Sequence, residues 1–234
     1  MINFFKIKTP KIIFTDKKTF DKLFSSINQP SIKFIIYEID EFFVSSLLNK
    51  NQWNKQHEND NEWYIHNHNL YKIWNEKTEM LKKAINSNYF NSDFFLWCDV
   101  GCFRENNTIN KFINWRNKEK LELYKKKLTV LNIDNFLFEE LNSKSLVDFS
   151  KKNRIGGGIF GGHKEVCLKW HEEYYNMFNK FIQNSVFLGK DQSIMANIHI
   201  KSLQSNDNFI NCVELPDKYK NKQERWFYLQ EYFL

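Results

Sequence analysis

Phe94-Phe95-Leu96-Trp97-Cys98-Asp99-Val100-Gly101 is an apolar run that ends in an acid and a glycine. Five apolar residues in a row predict a strand covered on both faces, the kind found inside α/β sheets, whose ligands sit beyond the carboxyl ends of the strands. Asp99 is the first residue past that end. It can hold a divalent cation or a ribose hydroxyl, with Gly101 letting the backbone pass close to a ligand, or it can simply cap a tight turn.

Upstream, residues 11–15 (Lys-Ile-Ile-Phe-Thr) form a β-prone run, with Asp16 placed to cap a helix carrying Phe20, Leu23 and Phe24. A second strand is expected at residues 32–37 and an apolar helix at 42–48; this alternation argues for an α/β sheet. Residues 49–69 are polar, rich in Asn and His and without a period, which predicts a long loop. Leu70, Ile73, Trp74, Leu81, Ala84 and Ile85 recur at helical spacing up to Asn86-Ser87-Asn88.

Downstream, residues 99–107 read as loop, 109–115 as helix, 128–133 as strand, 136–147 as an imperfect helix and 209–213 as a late strand. Residues 156–162 (Gly-Gly-Gly-Ile-Phe-Gly-Gly) hold five of the seven glycines, and Val166, Trp170, Tyr174, Met177, Phe178 and Phe181 then mark one face of a long helix.

A chain of 234 residues, 42% hydrophobic and 17% aromatic, can bury one substantial core, so a single domain over 1–234 is expected. The net charge of +6 is spread among 26% charged residues. It suits an anionic ligand, and the basic stripe of a nucleic-acid binder is missing; Lys125-Lys126-Lys127 reads as a solvated strand edge. Cys98, Cys102, Cys167 and Cys212 lack disulfide or zinc spacing, which points to a reducing compartment. With neither a secretory signal nor a membrane-length apolar run, a cytoplasmic protein is expected.

Lys77 falls inside the apolar stripe of its helix, where it either contacts a phosphate or snorkels to water. The glycine cluster fits neither a P-loop nor a dinucleotide-binding turn. It reads as a strand that admits close approach by a substrate or another backbone, or as a bulge. Asp191-Gln192 places an acid and an amide at the start of a short helix, where Asp191 can also be an N-cap. His66 and His68 lack a third ligand, and no Gly-x-Ser-x-Gly elbow marks a serine hydrolase.

Residues 70–77 (Leu-Tyr-Lys-Ile-Trp-Asn-Glu-Lys), 95–101, 156–162 and Asp191-Gln192 resemble, in order and spacing, the HtrL/YibB family of glycosyltransferase-like proteins, as does the Lys-Ile-Ile-Phe-Thr-Asp of residues 11–16. The resemblance implies a GT-A-like nucleotide-diphospho-sugar transferase fold: an α/β domain with a mixed central sheet flanked by helices, here opening close to the second strand of that fold. It implies a sugar from a nucleotide-sugar donor moved to a glycan or protein acceptor. Donor contacts would come from Lys77, Trp97, Asp99, Gly101, Arg104, Gly157, Gly158 and Gln192, and Asp191 would be catalytic. Where such enzymes carry Asp-x-Asp this chain has Asp99-Val100-Gly101, which argues against a strong Mn or Mg site on Asp99. The alternative is a non-catalytic binding or scaffold protein of the same fold that has lost part of the donor site.

Overall fold

The computed structural model describes residues 2–104, 109–205, 207–220 and 222–234; the end of the loop expected at 99–107 lies outside them. A short helix α1 (Ile2–Lys6) precedes β1 (Lys11–Thr15). Asp16 accepts from the Thr19 N–H at 2.8 Å, as its position predicts, and α2 (Lys17–Thr19) runs into one π turn at Phe20–Phe24. β2 (Ile32–Ile36), α3 (Phe43–Leu47), α4 (Lys50–Glu58) and the long α5 (His68–Ser87) lead to β3 (Phe94–Cys98). There follow α6 (Lys118–Leu123), β4 (Leu128–Asn132), α7 (Phe138–Leu141) and β5 (Ile155–His163). The chain ends with α8 (Lys164–Gln183), α9 (Asp191–Gln204), β6 (Ile210–Glu214) and α10 (Leu229–Tyr232).

The expected mixed sheet is present, in the order β3-β5-β4-β6. β5 is antiparallel to both neighbours, and β6 is parallel to β4. β1 and β2 pair with each other in parallel and stay apart from the four-stranded sheet. One core cluster joins the sheet to α5, α8 and α9 through Tyr71, Leu81, Trp170, Phe178 and Ile194. A second, around Phe103, Phe112, Trp115, Leu229 and Phe233, gathers the ends of the chain. The aromatic stripe expected on α8 is buried in the first of these clusters as core.

β5 explains its own glycines. Gly161 has φ +150°, a conformation that side chains rarely adopt, and a β-carbon there would lie 2.2 Å from the Phe95 carbonyl oxygen. The cluster is therefore a strand under close backbone approach.

Four expectations change. Residues 49–69 are not one loop: Asn49 and Gln52 form a reciprocal cap that starts α4, which buries only Trp53 and so shows no apolar period. Of 136–147 only Phe138–Leu141 is helical, because Phe138 is exposed and gives the segment no core-facing stripe. Residues 109–115 contain only a 3₁₀ turn, Ile109–Phe112, whose Ile109 and Phe112 are buried without a full helix. Asp191 begins a helix of 14 residues rather than a short one. No described helix is long and apolar enough to cross a membrane.

The loop after α7 is tied by Glu140, which is buried and accepts from Arg154 Nε at 2.9 Å and Nη2 at 2.8 Å, and from Lys152 at 3.0 Å. Burial opposes the charge, but Arg154, the Leu137 N–H and Lys152 outweigh it and pull the carboxyl from 4.5 down to about 2. A depressed carboxyl adds stability above its unfolded pKa and loses it as pH falls toward the folded one, here from 4.5 to about 2. Glu140→Ala is expected to cost about 3 kcal/mol in urea unfolding near neutral pH, and Glu140→Gln to flatten the pH dependence of stability in that acid window.

Candidate functional site

In the middle of α5 four polar residues in succession, Asn75, Glu76, Lys77 and Thr78, are all buried. Asn75 donates to the carbonyls of Tyr71 and Leu188 and accepts from Tyr174 Oη, which fastens α8 and the entry to α9. Glu76 accepts from Tyr37 Oη at 2.6 Å and from the N–H groups of Phe43 and Val44, so it docks the end of β2 and α3. Lys77 turns the other way, toward the sheet.

Its ammonium donates to the Gly157 carbonyl at 2.9 Å and stands 3.3 Å from Asp99 Oδ1 and 3.1 Å from Asp191 Oδ2. The ring of Trp97 lies 5.9 Å away, and its indole N–H donates to Asp99 Oδ1 at 2.7 Å. The Gln192 backbone N–H holds the other Asp191 oxygen at 2.9 Å. Of the two readings of Lys77 from spacing, snorkelling to water is overturned: the side chain is 5% exposed and bound between two acids. Burial works against the ammonium, but the facing charges of Asp191 and Asp99 outweigh it and hold its pKa above 10.5. Burial also raises the Asp191 carboxyl, with Lys77 pulling it back and Asp99 adding to the rise.

The two acids differ in access. The Asp99 side chain is 34% exposed and that of Asp191 7%. Lys77, Trp97, Asp99, Gly101 and Arg104 line one end of a cavity of about 970 Å³, and the lining includes neither Asp191, Gln192, Gly157 nor Gly158. Asp191 therefore reaches the cavity through Lys77. Arg104 is exposed, donates to the Gly101 carbonyl at 2.6 Å and lies 4.8 Å from the Phe227 ring centre. A β-carbon on Gly157 would come within 2.7 Å of Asp191 Oδ2, and one on Gly158 would strike the Phe227 ring, so the two glycines serve opposite faces of β5.

A divalent cation does not fit between these acids. Gly101 offers no carboxylate, and the space between Asp99 and Asp191 holds an ammonium that would repel a second cation. A different cluster escaped the sequence reading: Asp60, Glu62 and His66 bring ligand atoms within 4.8 Å of one another. Protein groups already engage them, with Tyr71 Oη on Asp60 at 2.7 Å, His66 Nδ1 on the same oxygen at 2.7 Å, and the Lys190 ammonium on Glu62. The acid-x-acid-x₃-His spacing was visible in a segment read as loop. Asn75 and Glu76 were missed too, although the run of five polar residues between Trp74 and Met80 could have flagged them.

The sequence profile of a family described as "Bacterial protein of unknown function (HtrL_YibB)" matches residues 5–211. No curated protein and no solved structure matches the chain.

Removing the ammonium leaves the buried Asp191 carboxylate facing the half-buried one of Asp99. Lys77→Met is expected to lower the unfolding free energy by about 3–5 kcal/mol in a urea titration, and adding Asp191→Asn to recover part of that. A raised carboxyl loses stability as pH rises through its folded pKa, so the single variant's deficit should grow with pH and that of the double variant should not.

Proposed function

The chain belongs to the HtrL/YibB family, and we propose that it is a glycosyltransferase of GT-A-like fold that moves a sugar from a nucleoside-diphosphate donor to an acceptor hydroxyl. The observation that carries this reading is the buried Lys77 ammonium beside the end of β3, set between Asp99 and Asp191, on a residue that lines the same cavity as Arg104.

Glycosyl transfer builds negative charge on the departing diphosphate, and a cation already in place and shielded from water lowers that barrier most. Lys77 and Arg104 supply the positive charge. Asp99, the more exposed of the two acids and anchored by the Trp97 indole, is placed to accept from a ribose or sugar hydroxyl. Asp191 keeps Lys77 charged and aimed, and the absence of a side chain on Gly157 lets the carboxylate lie against β5. With the ammonium between the acids, the reaction proceeds without a divalent metal at this site.

A binding protein of the same fold would share these contacts and differ only in turnover. Thermal unfolding in the presence of a panel of nucleoside-diphosphate sugars, with and without manganese and with a chelator, tests the site. At a donor concentration of about 100 times Kd the stabilisation amounts to about 2.7 kcal/mol, or a few degrees in Tm, unchanged by the chelator. Arg104→Ala, on an exposed side chain, should keep the Tm of the free protein and lose most of the shift. If no donor shifts the Tm, the reading fails; a shift without release of the nucleoside diphosphate in the presence of acceptors or water leaves binding alone.

A further inference from the structure

Between α4 and α5 the chain turns, and three large apolar side chains in a row stand in solvent: Trp63 is 60% exposed, Tyr64 69% and Ile65 61%. The Trp63 indole N–H and the Tyr64 hydroxyl make no hydrogen bond among the described residues. The turn beneath them is firmly braced. The Trp63 N–H donates to the Asp60 carbonyl at 3.2 Å, and those of Ile65 and His66 donate to the Glu62 carbonyl at 3.0 and 3.1 Å. His57 Nε2 lies 3.1 Å from the carbonyls of both Trp63 and His66, and a ring nitrogen between two acceptors carries the proton. The Tyr71 hydroxyl holds Asp60 and the Lys190 ammonium holds Glu62. The turn is thus fixed to α5, which carries Lys77, and to the residue before Asp191.

The charge left free around this tip is basic. Asp60 is paired with His66, and Glu62 with Lys190. Of the remaining Lys, Asp and Glu residues between 49 and 72, Lys50, Lys55, Lys72 and Glu58 have no ion partner among the described residues, three cations against one acid. Two of those lysines adjoin the tip through a pair of histidines. The His57 ring is 6.5 Å from that of Trp63 and 5.1 Å from that of His68. Burial, then the positive charges of His57, Lys72 and Lys50, push the His68 imidazole below its ordinary pKa.

We propose that Trp63, Tyr64 and Ile65 form an interfacial anchor that docks the protein on an anionic lipid bilayer, the three side chains entering the boundary between headgroups and acyl chains while Lys50 and Lys72 meet lipid phosphates. Tryptophan and tyrosine suit that depth, because each joins an apolar ring to a polar group that stays among the headgroups. Exposed apolar side chains clustered at one place and bordered by charge mark an interaction surface. A protein partner fits less well: a stable interface takes about 800 Å² from each side, more than three side chains on one turn supply, whereas a fluid headgroup layer closes around a tip. The brace to α5 and to Lys190 means that docking here also sets how the cavity faces the bilayer. The proposal is independent of the donor-site reading, because it uses no residue of that site.

The test is co-sedimentation of the chain as it stands with vesicles of phosphatidylcholine mixed with phosphatidylglycerol, set against vesicles of phosphatidylcholine alone. Saturable binding to the anionic vesicles is expected, falling as salt rises. Changing Trp63, Tyr64 and Ile65 together to serine should weaken it roughly tenfold or more and leave the Tm of the free protein in place, since all three side chains are already in solvent. Lys50→Gln with Lys72→Gln should weaken it several-fold. Brominated acyl chains should quench part of the tryptophan emission of the native protein, and that part should vanish in Trp63→Phe, which still binds. Absence of binding, binding that survives the triple serine variant, equal binding to phosphatidylcholine alone, or an oligomer in solution that the triple variant dissolves would each overturn the proposal. No sugar nucleotide is present, so failure here leaves the donor site untouched, and failure of the donor reading leaves the anchor.

Discussion

One buried ammonium sets the position of three elements. Lys77 leaves α5 and meets Asp99 at the end of β3, the Gly157 carbonyl of β5 and Asp191 at the start of α9. An ion that deep is tolerable only with opposite charge and hydrogen bonds around it, so these groups must arrive together or the lysine cannot be where it is. Its neighbours Asn75 and Glu76 fasten α8 and the β2–α3 connection from the same turn of helix. The polar centre of α5 thus orients the framework, while the apolar clusters supply the bulk of the burial.

The glycines of β5 are the counterpart of that lysine on the sheet. Asp191 lies against Gly157 and the Phe95 carbonyl against Gly161, both at distances a β-carbon would forbid. A strand without side chains at these places lets the carboxylate approach from one direction and β3 from another. The same compact arrangement leaves β3 with one open edge, which faces β1 across the cavity.

Much of the frame was legible beforehand. The strands near 11–15, 94–98 and 128–133, the long helices around Leu70–Ile85 and Val166–Phe181, and the strand through the glycine cluster follow from runs and periods that local physics makes strong. Elements held by one cap and one buried residue, such as α4 with Asn49 and Trp53, carry no period and were read as loop. The family was legible from the order of short motifs, and the matched profile bears that out.

The candidate site divides along the same line. Sequence alone determined that Asp99 follows a buried-type strand, that Lys77 sits in an apolar stripe, and that glycines and Asp191 come later, since each of these is a property of neighbours along the chain. It could not decide between a snorkelling lysine and a bound one, or say which acid faces a ligand. Those depend on contacts 22, 80 and more residues apart, and on whether a side chain ends in water or in protein. Only the tertiary structure put the ammonium between the two carboxylates and left Asp99 rather than Asp191 at the cavity.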